Sequence, residues 1–268
     1  MNHHGNKNII KQCIVEFFGT GLITFFGIGS LAASKFNYVD LNQFEISCIC
    51  GLAVSISIYF SAAISEAHLN PAITIFFWLS SRFNKKHVLP YIISQIFGSI
   101  CFTMLIYLLY HNSLILFEYH NNSFKETQKI FNVISIFCIY PNYQNSFIFD
   151  FLTETFSTAL FTIILLQLNS KTNHCYFKNT SFVPILIGIL VFMINIVVNP
   201  LTNISLNPAR DLGPKIFLSL TGYDVLSLTN SNNLLYCLIP IIGPILGANV
   251  GGWTYKIFIE DYFFKKNK

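Results

Sequence analysis

With 53% hydrophobic and only 10% charged residues, a 268-residue chain cannot clothe a soluble globule of its size; soluble domains carry about 25% charged residues. The formal net charge of +4 is too small to point to nucleic acid, and the mean hydropathy of +0.55 leaves lipid as the solvent for most of the surface. Seven cysteines, an odd number, include Cys13, Cys48, Cys50, Cys101 and Cys237 within apolar runs, which is how reduced packing thiols are placed and not a disulfide framework.

The first apolar run, Ile10 to Ala33, carries Glu16 and has no small-x-small cleavage site before its polar break, so it reads as a retained span and not a leader. Glu45 to Ile64 forms a second span, and Asn70 to Leu79 is an apolar piece half as long. Val88 to Tyr110 is the third span. The stretch His111 to Ser146, rich in Asn, Tyr and Phe, reads as an outer loop that either covers a pore mouth or merely connects. Phe147 to Leu168 and Phe182 to Val198 are the fourth and fifth spans, Asn207 to Leu218 a second half-length piece, and Leu234 to Ile257 the sixth span. Gly243, Gly247 and Gly251 put small residues on one face of that last helix, the spacing for close helix packing. A hydrocarbon core of roughly 30 Å needs about 20 helical residues. The two short pieces reach roughly 15 Å, half of that, at 1.5 Å per residue.

Six crossings put Lys7, Lys11, Arg82, Lys85, Lys86, Lys171, Lys178, Lys265, Lys266 and Lys268 on one side, and only Lys35, Lys125 and Lys129 on the other. The excess of basic residues marks the cytoplasmic side. The expected protein is integral to the plasma (inner) membrane, multi-pass, with both termini in the cytoplasm.

The halves repeat each other. Asn70, which opens Asn-Pro-Ala, follows Glu16 by 54 positions, and Asn207, which opens the second Asn-Pro-Ala, follows Glu154 by 53. Three crossings per half invert the second copy relative to the first, so the paired elements meet near the midplane. The expected fold is an all-α membrane protein, six transmembrane helices plus two re-entrant half-helices in an inverted repeat. It forms one domain over 1–268, with repeats near 10–110 and 147–258.

Asn is a favoured helix cap and Pro a favoured first helical residue, so Asn70-Pro71-Ala72 and Asn207-Pro208-Ala209 each start a half-helix. Two helix N-termini meeting head to head place roughly half a positive charge each at mid-membrane, which opposes cations and protons and passes neutral solutes. Each Asn is expected to cap its helix with the side-chain oxygen and offer its amide N–H to the lumen. The segments Ser65 to Leu69 and Thr202 to Leu206 leave carbonyls unpaired, which is tolerated at this depth only along a wet cavity.

His68-Leu-Asn-Pro-Ala-Ile-Thr74 and Leu206-Asn-Pro-Ala-Arg-Asp-Leu-Gly-Pro-Lys215 resemble the two signature loops of the aquaporin (major intrinsic protein) family, from about Glu16 to Tyr255. The resemblance implies a right-handed bundle around a pore and a homotetramer with one pore per protomer, with no cofactor and no metal. It also implies passive diffusion of small uncharged solutes. Asp211, Lys215, Pro240, Ile241 and Tyr110 match the glycerol facilitators within the family, as does Gln12 to Gly21, and this implies glycerol as solute.

Arg210, a cation in the first turn of a half-helix, opposes the local dipole and is costly at membrane depth, so a functional role is its default reading. The resemblance makes it the filter arginine. Asp211 suits the dipole and is expected to hold the surrounding loop. Glu16 and Glu154 are read either as a proton relay or as buried structural acceptors for loop backbone, and their symmetric placement favours the second. His68 is expected to line the inner half of the pore together with Glu66, Ala67, Leu69, Asn203, Ser205 and Leu206.

The outer filter departs from the family pattern. Cys50 stands where a tryptophan is usual, Ile204 where a phenylalanine is, and Asn195 where a small residue is; Asn203 and Glu66 occupy usual glycine sites. The expected consequence is a shifted solute range, with urea or other polyols as the alternatives. An ion-coupled secondary transporter, an intramembrane enzyme and a purely structural membrane protein are the other classes weighed. No nucleophile–base pair or metal set supports the enzyme.

Overall fold

The computed structural model describes residues 8–36, 38–120, 126–140, 145–170, 180–223 and 234–265. Ten α-helices follow in chain order among them: α1 Ile9–Lys35, α2 Gln43–Ser65, α3 Pro71–Leu79, α4 Lys85–Leu109, α5 His111–His120, α6 Glu126–Phe137, α7 Phe147–Leu168, α8 Val183–Val198, α9 Pro208–Leu220 and α10 Ile239–Thr254. A 3-10 turn, Thr180–Phe182, leads into α8; a second, Leu234–Leu238, leads into α10, which continues as a π-helix over Tyr255–Lys265.

Polar caps set most of the starts. Asn8 Oδ1 accepts from Ile10 N at 2.9 Å, and Asn84 Oδ1 accepts from Lys86 N at 3.0 Å. Asn42 and Glu45 form a reciprocal capping box at the head of α2. Five helices are long and apolar enough to cross a membrane, and α8 has only 16 residues. At 1.5 Å per residue α8 spans roughly 24 Å; it ends at Val198 with Asn199 as its C-cap, and the chain then feeds the second re-entrant segment.

The inverted repeat is visible in the packing. α1 packs on α4 as α7 packs on α10, and α2 meets α8 across the halves. Glycine permits the closest approaches. A Cβ on Gly98 of α4 would sit 2.1 Å from Phe17 O, and one on Gly247 of α10 would sit 2.3 Å from Thr155 O. Gly243 and Gly251 face α7 in the same way, against Glu154 Cγ and Ala159 O.

The stretch read as a plain outer loop contains two helices, α5 and α6. Val133, Ile134 and Phe137 of α6 join Leu114 of α5, Ile28 of α1, Ile106 of α4 and Leu218 of α9 in one buried cluster. A second cluster gathers Phe76 of α3, Phe161 of α7, Leu190 of α8 and Tyr255. The basic-residue argument for orientation rests partly on Lys7, Lys125, Lys171, Lys178, Lys266 and Lys268, which lie outside the described residues.

Candidate functional site

The two Asn-Pro-Ala helices meet in the interior. Asn70 Oδ1 accepts from Ala72 N at 2.9 Å and Asn207 Oδ1 accepts from Ala209 N at 3.0 Å, so each asparagine caps its own helix. Their amide nitrogens cross over. Asn70 Nδ2 donates to Leu206 O at 2.7 Å, and Asn207 Nδ2 donates to Leu69 O at 2.8 Å. This corrects the simpler expectation that the amides serve only the lumen. One N–H of each is committed to the opposite half, and the carbonyls of Leu69 and Leu206 are paired by it. The second N–H of each amide remains.

The segments leading to these helices are held in left-handed conformations. Glu66, Ala67, Leu69 and Leu206 have φ of 70°, 51°, 51° and 57°, a region costing roughly 1–2 kcal/mol per non-glycine residue. Buried carboxylates hold them there. Glu16 Oε1 accepts from Ser65 Oγ at 2.6 Å and from His68 N at 3.0 Å. Its Oε2 accepts from Leu69 N at 2.7 Å and from Gln95 Nε2 at 2.8 Å. Glu154 accepts from Ser205 N at 2.9 Å and Leu206 N at 2.7 Å. The oxygens of both acids are thus turned onto loop backbone as acceptors. Ser65 and Gln95 are partners the sequence reading did not single out; a lone amide within the apolar α4 was the available signal.

A cavity of about 210 Å³ runs past this junction. Residues 67–70 and 203–207 line it, together with Cys50 of α2, Asn195 and Asn199 at the end of α8, and Arg210. No described residue donates to the carbonyls of Ala67, His68, Asn203, Ile204 or Ser205, so these acceptors remain available on the wall. Arg210 is half-buried and donates no hydrogen bond to a described residue, which leaves its guanidinium donors facing the cavity. His68 is fixed by rings of Phe77, Phe83 and Tyr91 at centroid distances of 4.9, 4.6 and 5.2 Å, and its Nδ1 lies 3.2 Å from Thr74 Oγ1.

Glu66, expected on the pore wall, and the marker positions Tyr110, Asp211, Lys215, Pro240 and Ile241 lie off the cavity. Glu66 is the exposed C-cap of α2 and does not line the cavity, because its left-handed backbone ends the helix. Tyr110 caps α4 and packs on Phe36 and Tyr38. Pro240 is buried in the first turn of α10, with Ile241 beside it. Asp211 and Lys215 are buried and paired with each other. Asp211 Oδ1 also accepts from Ile139 N at 2.9 Å, which ties the chain after α6 to α9. Residues 135–140, reached through that tie, form part of the cavity wall. Asn203 Nδ2 lies 3.5 Å from Tyr140 O on the same wall.

A multi-pass helical bundle with two opposed, internally capped half-helices and a lined cavity between them defines a membrane channel protein. Residues 4–255 match the family described as major intrinsic protein, and the chain belongs to that family. It is 63% identical to a protein named "Glycerol uptake facilitator protein" of Buchnera aphidicola subsp. Acyrthosiphon pisum (strain APS), over 97% of this chain and 100% of the relative. It is 40% identical to a protein of the same name of Escherichia coli (strain K12), over 92% of this chain and 88% of the relative. Among solved structures, the X-ray structure of the aquaglyceroporin from Plasmodium falciparum matches with a TM-score of 0.80 and 27% identity, covering 94% of this chain and 97% of that one.

Proposed function

We propose that the chain is a passive channel for glycerol and similar small uncharged solutes, with some water, and that it excludes ions and protons. The observation that carries this reading is the crossed pair of half-helix N-termini, Asn70 to Leu206 and Asn207 to Leu69, set on a cavity with the unpaired guanidinium of Arg210. Two positive helix ends and a fixed cation repel cations, while guanidinium and amide donors offset by bare carbonyls replace the water that a hydroxylated solute leaves behind. Cys50, Asn195, Ile204 and Arg210 form the selectivity filter in this reading, and Asp211 with Lys215 braces the wall behind it. Glu16 and Glu154 are structural acceptors.

The whole of 1–268 is one channel domain in the plasma (inner) membrane, with both termini cytoplasmic, and it assembles as a homotetramer surrounded by lipid. The test is stopped-flow light scattering on proteoliposomes. Glycerol entry well above that of empty liposomes, unchanged by a proton or sodium gradient, supports the reading. Flux that requires such a gradient overturns it in favour of a coupled transporter. A second reading, a channel shifted toward urea or other polyols, is favoured by the wall itself, where Cys50, Asn195 and Ile204 bring no aromatic ring.

A further inference from the structure

The amides at the end of α8 form a connected device. Asn195 is 9% exposed and lines the cavity. Its Nδ2 donates to Val191 O at 3.0 Å, and its Oδ1 accepts from Asn199 Nδ2 at 3.1 Å. Asn199 Oδ1 in turn accepts from Ile204 N at 3.2 Å. This chain ties the last turn of α8 to the second re-entrant segment and fixes the plane of the Asn195 carboxamide. A carboxamide carries two N–H donors and an oxygen with two acceptor sites. Asn195 uses one of each on protein, and no described residue takes the other N–H or the other lone pair.

We propose that Asn195 is a specificity-determining residue that favours small carboxamide solutes, of which urea is the simplest, and that Asn199 is the residue that positions it. The inference rests on the channel reading above and names which solutes that channel prefers. Donor and acceptor balance carries it. The guanidinium of Arg210 is an all-donor surface, suited to oxygen-rich solutes. A polyol brings one O–H per oxygen, whereas urea brings four N–H hydrogens on one carbonyl and needs acceptors on the wall. The carbonyl of Asn195 and the uncovered backbone carbonyls of Asn203 and Ile204 supply them. Neither Cys50 nor Ile204 offers a flat ring to the carbon edge of a polyol, so the polar groups weigh more in the choice between the two solutes.

The experiment measures urea and glycerol permeability on the same proteoliposomes for wild type, Asn195→Leu, Asn195→Gly, Asn199→Ala and the Asn195→Leu/Asn199→Ala double variant. Leucine keeps the bulk of asparagine and removes both polar groups. The urea-to-glycerol ratio is expected to fall about fivefold in Asn195→Leu and in Asn195→Gly, the scale of one lost hydrogen bond. Asn199→Ala alone lowers the ratio by about two- to threefold, as a loosened amide still makes part of that bond. The double variant shows no further loss, because Asn199 acts through Asn195. Should the leucine variant fail to reach the membrane, Asn195→Val, also apolar and close to asparagine in bulk, carries the same comparison.

A ratio that stays within about twofold of wild type in both Asn195 variants overturns the proposal, being smaller than a hydrogen bond is worth. So does a ratio that changes only with side-chain bulk, in glycine and not in leucine. A wild type that conducts neither solute would instead sink the channel reading itself.

Discussion

In the first half of the channel Glu16 accepts from four donors, two backbone amides and the side chains of Ser65 and Gln95. In the second half Glu154 accepts from two, both backbone amides. The helix registers show why. Gly98 and Gly247 make equivalent contacts with α1 and α7, so the position in α10 that corresponds to Gln95 is Pro244, which has no amide to give. Counting from the two capping asparagines, Thr202 stands where Ser65 does, and its hydroxyl is not among the donors to Glu154. The second re-entrant segment is steadied from the solute side, by Asn199 on Ile204, and α9 from the outer wall, by Asp211 on Ile139. The first half is thus anchored wholly by groups off the cavity, whereas the second adds one anchor, Asn199, that lines it, so selectivity can change there without disturbing the anchor of the first.

The sharpest way to break this comparison is to remove each carboxylate. Glu16→Leu leaves the buried amides of His68 and Leu69 and one N–H of Gln95 without an acceptor, at roughly 1–3 kcal/mol each, while Ser65 Oγ keeps Ser61 O at 3.4 Å, and is expected to abolish a stable fold in detergent. Glu154→Leu leaves two, and its loss is expected to be about two-thirds as large. Thermal unfolding followed by the fluorescence of Trp78 and Trp253 measures both, and equal shifts would refute the asymmetry. Gln95→Leu takes only one donor from Glu16 and is expected to cost about 1–3 kcal/mol by the same assay.

Glu66→Gly sharpens the comparison in the opposite direction. It relieves a left-handed residue at φ 70° and is expected to raise stability by about 1 kcal/mol with solute flux unchanged. Asn203, its counterpart, does not have a positive φ, so Asn203→Gly should give no such gain. Least of all, Arg82→Ala breaks the half-exposed pair with Glu260 and is expected to cost under about 1 kcal/mol, with the difference vanishing in high salt.

Much of this was legible from residue order. The spans, the two half-helices and their asparagine caps follow from apolar length and from Asn-Pro, because helix geometry and capping are local. The link between Glu16 and the first loop was legible only as a symmetry. Its side-chain partners were not, because Gln95 reaches Glu16 from 79 positions away. The outer stretch holds more structure than its composition announces. Its abundance of Asn and Tyr suggested a loop, but Val133, Ile134 and Phe137 repeat at helical spacing and bury one face of α6. Cys138 to Tyr140 lie on the cavity wall, tied there by Asp211, far along the chain, which accepts from Ile139. Asn199, one turn after Asn195 at the C-cap of α8, carries no motif of its own, and its role follows only from its contacts with Asn195 and Ile204.

The crossed asparagine bonds join residues 136 and 138 positions apart. During synthesis the first asparagine therefore enters the bilayer long before its partner carbonyl has been made. Until Leu206 and Asn207 arrive, the first half-helix has its own cap and its Glu16 anchor but no partner across the midplane. The conducting state is in this sense a coincidence of two late arrivals, and a nascent chain halted after its first three crossings carries half of a lock whose other half is still on the ribosome.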